Sequence, residues 1–129
     1  MTASCISNLI SIIRNGQKAS LKNVNIPKSK QSISILLLLT QEGFIRGFFT
    51  KNSREKQLFV LLKYHNGVGA IHSFFSISRV NKKIYFKVKT LWQFKNGLGI
   101  WVVSSSKGIL TSQAAIKKHV GGCMLLKVA

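Results

Sequence analysis

The chain has 129 residues, and its composition combines 46% hydrophobic residues with a formal net charge of +18. This length fits one compact domain or two small lobes sharing a core, and the hydrophobic content excludes an intrinsically disordered chain. Twenty Lys+Arg residues against two acids, Glu42 and Glu55, leave no scope for paired-carboxylate catalysis and indicate a polyanionic partner, of which nucleic acid is the first candidate.

The first predicted elements are a helix and a strand. Apolar residues from Ile6 to Ile13 recur at three- and four-residue steps, which predicts a short helix ending near Asn15-Gly16 with Gly16 as its C-cap. The segment KNVNIP predicts a brief strand, and Pro27 is expected to open the next element.

A second helix and a hairpin follow. The helix is predicted from Lys28 to about Glu42, ended by Gly43, with apolar positions at Ile33, Ile35, Leu36 and Leu37. The segments FIRGFFT and KQLFVLLKY then predict two strands joined by the polar turn KNSRE.

The stretch Asn66-Gly67-Val68-Gly69 interrupts the pattern and is the predicted boundary between two lobes, residues 1–66 and 67–129. Beyond it, AIHSFFSIS and KIYFKVKTL alternate like strands around the turn RVNK. On the second of these, basic residues recur with Tyr85 at every other position, which predicts an RNA-facing strand with Lys83, Lys87 and Lys89.

The last third is predicted to be mostly β. Residues 100 to 103 are apolar on both faces, as in a covered strand. Thr111 is the expected N-cap of a short alanine-rich helix that stops at Gly121-Gly122, and CMLLKVA closes the chain as a strand. The predicted fold is therefore α/β of the α+β kind. Its N-terminal lobe is helix-strand-helix-hairpin, and its C-terminal lobe is mostly β with one short helix.

The stretch GLGIWVVSSSKG raises the question of chemistry, because Ser104-x-x-Lys107 also occurs in serine hydrolases of the penicillin-binding class. Gly108 follows the lysine at once, and the companion Ser-Asp-Asn cannot exist without aspartate. A Ser/Gly turn without function is the other alternative. We favour recognition of RNA by three hydroxyls beside Lys107, since each hydroxyl both donates and accepts hydrogen bonds.

Cofactor, metal and membrane signals are weak. Gly97-x-Gly99 is too short for a dinucleotide fingerprint, and the three histidines have no metal-ligand spacing, so no cofactor, metal or small-molecule substrate is expected. Cys5 and Cys123 lack any C-x-x-C and read as core residues of a reducing compartment. The longest apolar run, ISILLLL, is far short of the roughly 20 residues that span a membrane.

Several stretches together resemble the ribosomal protein S8 family, which binds small-subunit rRNA. They are GLGIWVVSSSKGILTSQAA followed by a Gly-Gly, LISIIRNGQKA, IPKSK, EGFI and SRVNKKIY, and they cover nearly the whole chain. The resemblance implies a two-lobed protein without catalytic activity. It is expected to bind the central domain of small-subunit rRNA early in assembly and to touch neighbouring small-subunit proteins.

The resemblance also implies a set of RNA contacts. The Ser-rich loop of the C-terminal lobe corresponds to Ser104, Ser105, Ser106, Lys107 and Gly108, with Tyr85 beside it. Contacts from the N-terminal lobe correspond to Arg14, Asn15, Lys28, Ser29 and Lys30.

The chain departs from the family pattern at a few positions. Val80-Asn81 replaces a Pro-Gly, Cys123 replaces an acid, and Trp101 stands at a small-residue position, where we favour core packing over stacking on a base.

The start resembles a mitochondrial presequence in lacking acids, but with a single arginine in its first seventeen residues it is expected to be the first helix of the fold. The loss of acids suggests an organellar member that needs no import sequence, mitochondrial first, then plastid, then bacterial. The functional alternatives are a free-standing nucleic-acid-binding protein and, remotely, the Ser-Lys acyl hydrolase.

Overall fold

The computed structural model describes residues 3–52, 54–76, 85–86 and 99–129 of the chain. Three helices and ten strands lie in this part: α1 Ala3–Lys18, β1 Asn23–Pro27, α2 Lys30–Gln41, β2 Ile45–Phe49, β3 Gln57–Leu62, β4 Tyr64–His65, β5 Val68–Gly69, β6 Phe74–Ser76, β7 Tyr85–Phe86, β8 Ile100–Ser105, β9 Gly108–Thr111, α3 Ser112–Lys117 and β10 Gly122–Val128. Helices beside antiparallel sheets confirm the predicted α+β class.

Internal contacts divide the chain into two compact units. The N-terminal unit is Asn8–His72, and the C-terminal unit is Ser73–Ala129 together with Met1–Ser7. The sequence predicts a boundary between two lobes after residue 66, and this boundary stays a prediction.

Helix α1 is amphipathic, as its apolar spacing predicts, and Ile6, Leu9, Ile10 and Ile13 are all buried. Its predicted end at Gly16 is wrong. The helix continues to Lys18 and ends in a Schellman motif, with the left-handed position held by Ser20 at φ 58°. In that motif the Leu21 N–H donates to the Gly16 carbonyl at 3.0 Å.

Gly16 serves a different purpose. It is buried, and a Cβ at this position would collide with the side chain of Val24 on β1. The residue is therefore required for the close approach of helix and strand, not for the cap.

The sheet of the N-terminal unit has the order β1-β3-β2, with antiparallel pairing throughout. The pairing of β2 with β3 confirms the predicted hairpin. In β3, Leu58, Val60 and Leu62 are buried while the intervening residues are partly or fully exposed, so one face of the sheet forms the core.

Helix α2 begins after Ser29 and ends in a Schellman motif at Gly43, whose φ is 82°. Gly43 thus ends the helix as predicted. Pro27 does not open it, because this residue is the last of β1. Of the apolar positions from which this helix is predicted, Leu37 is 49% exposed, whereas the fully buried residues of the helix include Ile35, Leu36 and Leu39.

In the stretch predicted as a lobe boundary, Asn66 and Gly67 form a two-residue hairpin turn between β4 and β5, and Val68–Gly69 is β5 itself. Asn66 and Gly67 both have positive φ, 53° and 78°, as a type I′ turn requires. An Asn-Gly pair fits this turn because both residues tolerate the left-handed region.

The sheet of the C-terminal unit is centred on β10, and its strand order is β6-β10-β8-β9, with β7 also pairing with β10. Helix α3 packs against β8 and β9. A cluster of Val103, Met124, Ala115 and Ile116 fills this side, and Trp101 is partly buried against it.

The cap of α3 is confirmed, because the Thr111 hydroxyl accepts from the Ala114 N–H at 3.2 Å. The predicted stop at Gly121-Gly122 is wrong. The helix ends at Lys117, and His119, with φ 55°, takes the left-handed position two residues before those glycines.

One of the two cysteines has a described side chain. Cys123 is buried in β10, as expected for a core residue, whereas the side chain of Cys5 lies outside the described residues. Within the residues that the structure describes, no helix has the length and apolar character that crossing a membrane requires.

Candidate nucleic-acid interface

The serine-rich stretch forms the end of the β8–β9 hairpin. Ser104 pairs with Ile109 and Ser105 with Gly108, so the connection consists only of Ser106 and Lys107. The predicted strand end at residue 103 is therefore corrected, because Ser104 and Ser105 belong to β8. We call residues 104–108 the serine hairpin.

Ser105 holds the turn together. Its hydroxyl donates to the Gly108 carbonyl at 2.9 Å and accepts from the Lys107 N–H at 3.2 Å. Gly108 has φ 105°, a conformation that favours glycine. The donor hydrogen of Ser105 is thus used within the hairpin, and only acceptor capacity on its oxygen remains for a ligand.

The other side chains of the serine hairpin are more open. Ser106, Lys107 and Gly108 are exposed, while Ser104 and Ser105 are half-buried. The tip therefore presents one hydroxyl and one ammonium group to solvent on a short, hydrogen-bonded turn. Such groups suit phosphate oxygens and ribose hydroxyls.

The base of the serine hairpin lies against the central strand β10. Ser104 pairs with Cys123, and on the other side of β10 the backbone of Tyr85 pairs with the same Cys123. Tyr85 and the serine hairpin thus belong to one sheet, one strand apart. Lys83, Lys87 and Lys89 lie outside the described residues, so the basic face predicted for that strand stays a prediction.

Gly122 at the start of β10 allows this close packing. A Cβ on Gly122 would collide with the Ser104 carbonyl oxygen and would lie 3.2 Å from the Ser105 Cα. Both neighbours are backbone atoms, which cannot move away as a flexible side chain can. Gly122 therefore positions the serine hairpin and does not end α3, although the sequence predicts that it does.

The other predicted contact residues belong to the N-terminal unit. Arg14 and Asn15 are exposed on α1, and Lys28 and Lys30 are exposed on either side of Ser29. Ser29 is the N-cap of α2: its hydroxyl accepts from the Ser32 N–H at 3.1 Å and donates to the Ser32 hydroxyl at 2.8 Å. A serine directly before an apolar periodic run is an N-cap signal, so this cap was recognisable from the sequence although it was not predicted.

The two acidic residues lie in the same unit. Both acids, Glu42 and Glu55, belong to the N-terminal unit. The C-terminal unit therefore contains lysines and an arginine but no acidic side chain. One of them, Lys127, lies over aromatic rings instead, 5.0 Å from the Trp101 centroid and 5.9 Å from that of Phe75.

The geometry does not resemble that of a Ser-Lys hydrolase. In such enzymes the serine opens a helix and the lysine lies one turn further along it, whereas Ser104 is a strand residue and Lys107 is in a turn. Among the described residues, no three His, Cys, Asp or Glu side chains are grouped as a metal site requires.

Comparison with known proteins gives one consistent family. The family model described as ribosomal protein S8 matches residues 4–129. A relative from Afipia carboxidovorans, named small ribosomal subunit protein uS8, is 40% identical over 125 residues, covering 95% of each chain. Proteins of the same name from Photobacterium profundum and Mesoplasma florum are 40% and 36% identical, and the alignments cover 96% and 97% of this chain and 95% and 97% of theirs.

Proposed function

Because the chain belongs to the ribosomal protein S8 family, we propose that it is a structural component of the small ribosomal subunit that binds the subunit's rRNA directly. The family is structural and non-enzymatic, which removes the hydrolase alternative. The proposed partners are the central domain of small-subunit rRNA and neighbouring small-subunit proteins. The names of the relatives support the place in the subunit, and the charge and surface of this chain support the contact with RNA.

The observation that carries the proposal is the serine hairpin. A two-residue turn, held by two hydrogen bonds of Ser105, exposes Ser106 and Lys107 from a unit whose sequence contains no acid. Preorganised polar groups on a rigid strand end lose little conformational entropy when they bind. The proposed mechanism therefore has two parts: lysines spread along the chain provide salt-sensitive affinity, and the serine hairpin with Tyr85 selects the docking position.

The test of the hairpin's role is Ser105→Ala. We expect it to weaken binding to the cognate rRNA stem by about 1 to 3 kcal/mol, because the turn loosens and polar groups in the complex lose a partner. Filter binding with the full-length protein measures the affinity.

Co-sedimentation with small subunits, in parallel with sedimentation on DNA, separates a ribosomal component from a free-standing nucleic-acid-binding protein.

Thr40→Ala is the matched control. The Thr40 hydroxyl also bonds within the chain, donating to the Leu36 carbonyl at 2.8 Å, but it lies on α2 in the other unit. We expect this variant to bind the stem as the wild type does. Equal affinities for Ser105→Ala and wild type would remove the serine hairpin from the mechanism.

We also propose a mitochondrial ribosome as the compartment. The support is compositional: two acids among 129 residues is a strong depletion for a folded chain. The relatives named above are bacterial, and the alternatives to a mitochondrial ribosome are those of a plastid and of the bacterial cytoplasm. Fractionation of the source cells with an antibody against the chain tests the compartment, and its recovery outside mitochondria would refute this assignment.

A further inference from the structure

The N-terminal sheet has a second face, opposite its buried one, that the proposed function does not use. We call it the outer sheet face. In strand register, Asn25 of β1, Phe59 of β3 and Phe49 of β2 lie in one row across it. The neighbouring positions of the central strand, Gln57 and Leu61, are exposed and half-buried.

The row contains an open aromatic pair. The rings of Phe49 and Phe59 stack with centroids 5.4 Å apart and an interplanar angle of 20°. Phe49 is nevertheless 43% exposed. A large apolar ring left in water costs free energy that a stacking ligand recovers, and an open ring face is what such a ligand requires.

Cations lie beside this pair and in the loop next to it. The Lys51 ammonium lies 5.0 Å from the Phe59 centroid. The loop that joins β2 to β3 also carries Arg54 and Lys56, against the single carboxylate of Glu55. The Lys28 N–H donates to the Lys56 carbonyl at 2.8 Å, which brings a further lysine to the same end of the sheet.

Hydrogen-bonding groups complete the row. Asn25 is exposed directly opposite Phe59, and Asn23 is exposed two residues away on the same face of β1. A side-chain amide offers both donors and an acceptor, as the edge of an unpaired base requires.

From this arrangement we propose that the outer sheet face is a second RNA site, which binds unpaired nucleotides. A base stacks on Phe49, the phosphates on either side meet Lys51 and the cations of the loop, and Asn25, on the other side of Phe59, bonds to the edge of a neighbouring base. Stacking on aromatic side chains beside a cationic groove is the general mode of single-strand binding. A protein partner fits less well, because lysines and amides rim a small apolar centre.

The first experiment locates the site in the wild-type protein. A short, unstructured oligouridine containing 4-thiouridine is bound to the full-length chain, crosslinked by light and digested with trypsin. We expect crosslinks in the tryptic peptides GFFTK and QLFVLLK, which hold Phe49 and Phe59. Crosslinks confined to other peptides would overturn the proposal.

The second experiment uses Phe49→Leu, which keeps the apolar character and the net charge but removes the aromatic face. We expect affinity for the oligouridine to fall about tenfold, since one base loses its stacking partner. Affinity for duplex RNA should stay unchanged because paired bases do not stack on the protein, and the salt slope should stay unchanged because no cation is lost.

Phe75→Leu is the matched control, as Phe75 is 44% exposed and lies in the C-terminal unit. An equal loss in both variants, or an equal loss for duplex RNA, would overturn a defined site. So would unchanged oligouridine binding with exclusion of Phe49→Leu from small subunits, which would indicate a protein partner. The oligouridine assay does not involve the cognate stem, so its outcome is independent of the Ser105→Ala test.

Discussion

Tyr64 shows how one side chain secures the end of a helix. Its hydroxyl donates to the Leu21 carbonyl at 2.6 Å and lies 3.5 Å from the Gly16 carbonyl, so it contacts the backbone where α1 ends. Burial raises the pKa of the Tyr64 hydroxyl above its ordinary value. Both facts favour the protonated side chain in the folded protein.

We expect Tyr64→Phe to lower the free energy of unfolding by about 1 kcal/mol at neutral pH, the usual contribution of one hydrogen bond. Because the folded-state pKa is raised, the contribution of Tyr64 is fully present below about pH 10 and is lost as the pH rises through the raised value. Urea denaturation of both proteins at neutral and alkaline pH measures this. A difference that does not narrow at alkaline pH would contradict the assignment.

Individual residues also explain where sequence-based prediction failed. The left-handed positions after α1 and α3 are held by Ser20 and His119, although non-glycine residues adopt this conformation at a cost. The nearby glycines, Gly16 and Gly122, are instead needed where another element approaches closely. A cap and a close contact both favour glycine, and local sequence cannot distinguish them because the contact depends on a distant strand.

Among the elements, those with strong periodicity were predictable. The apolar stripe of α1, the β2–β3 hairpin and the Thr111 cap all follow from short-range pattern. The exposure of Leu37 did not follow, since every position from Ile35 to Leu39 in α2 is apolar, and only packing selects the face that is buried. The serine stretch was recognisable from its residues, but the hydrogen bonds of Ser105 required the pairing register of β8 and β9.

The position of the serine hairpin depends on β10 through Gly122. We expect Gly122→Ala to weaken binding of the cognate stem by more than tenfold, about 1.4 kcal/mol, because the methyl group displaces the backbone at Ser104 and Ser105. Filter binding measures the affinity, and thermal unfolding monitors the fold.

Gly67→Ala separates displacement from general destabilisation. Gly67 has open space around it but a φ of 78°, so the substitution strains the β4–β5 turn of the N-terminal unit without touching the serine hairpin. We expect lower stability with unchanged stem binding. Similar losses of stem affinity in both glycine variants would mean that Gly122 acts only through stability.

For the whole molecule, the dominant property is the excess of cations. A formal charge of +18 on 129 residues produces self-repulsion that a bound polyanion relieves. The affinity for any RNA should therefore fall steeply as salt rises, because each neutralised phosphate releases counterions.

Lys107→Ala tests this at an exposed position of the serine hairpin. We expect weaker binding of cognate and unrelated RNA alike, with the salt slope reduced by about one unit, as for a contact with phosphate. Lys127→Gln is the charge-matched control, since the Lys127 ammonium lies over Trp101 and Phe75, and its slope should change less. A loss restricted to the cognate stem would instead assign Lys107 to base recognition. Lys87→Ala is expected to behave as Lys107→Ala does.

The burial of Cys123 makes the C-terminal sheet observable in solution. The thiol lies in the central strand β10 with 8% of the residue exposed, between the backbones of Tyr85 and Ser104. An alkylating reagent reaches such a sulfur only when the strands separate, so the labelling rate of the peptide that contains Cys123 reports local opening. Slower labelling in the presence of rRNA would measure how strongly the bound RNA stabilises this sheet against local opening.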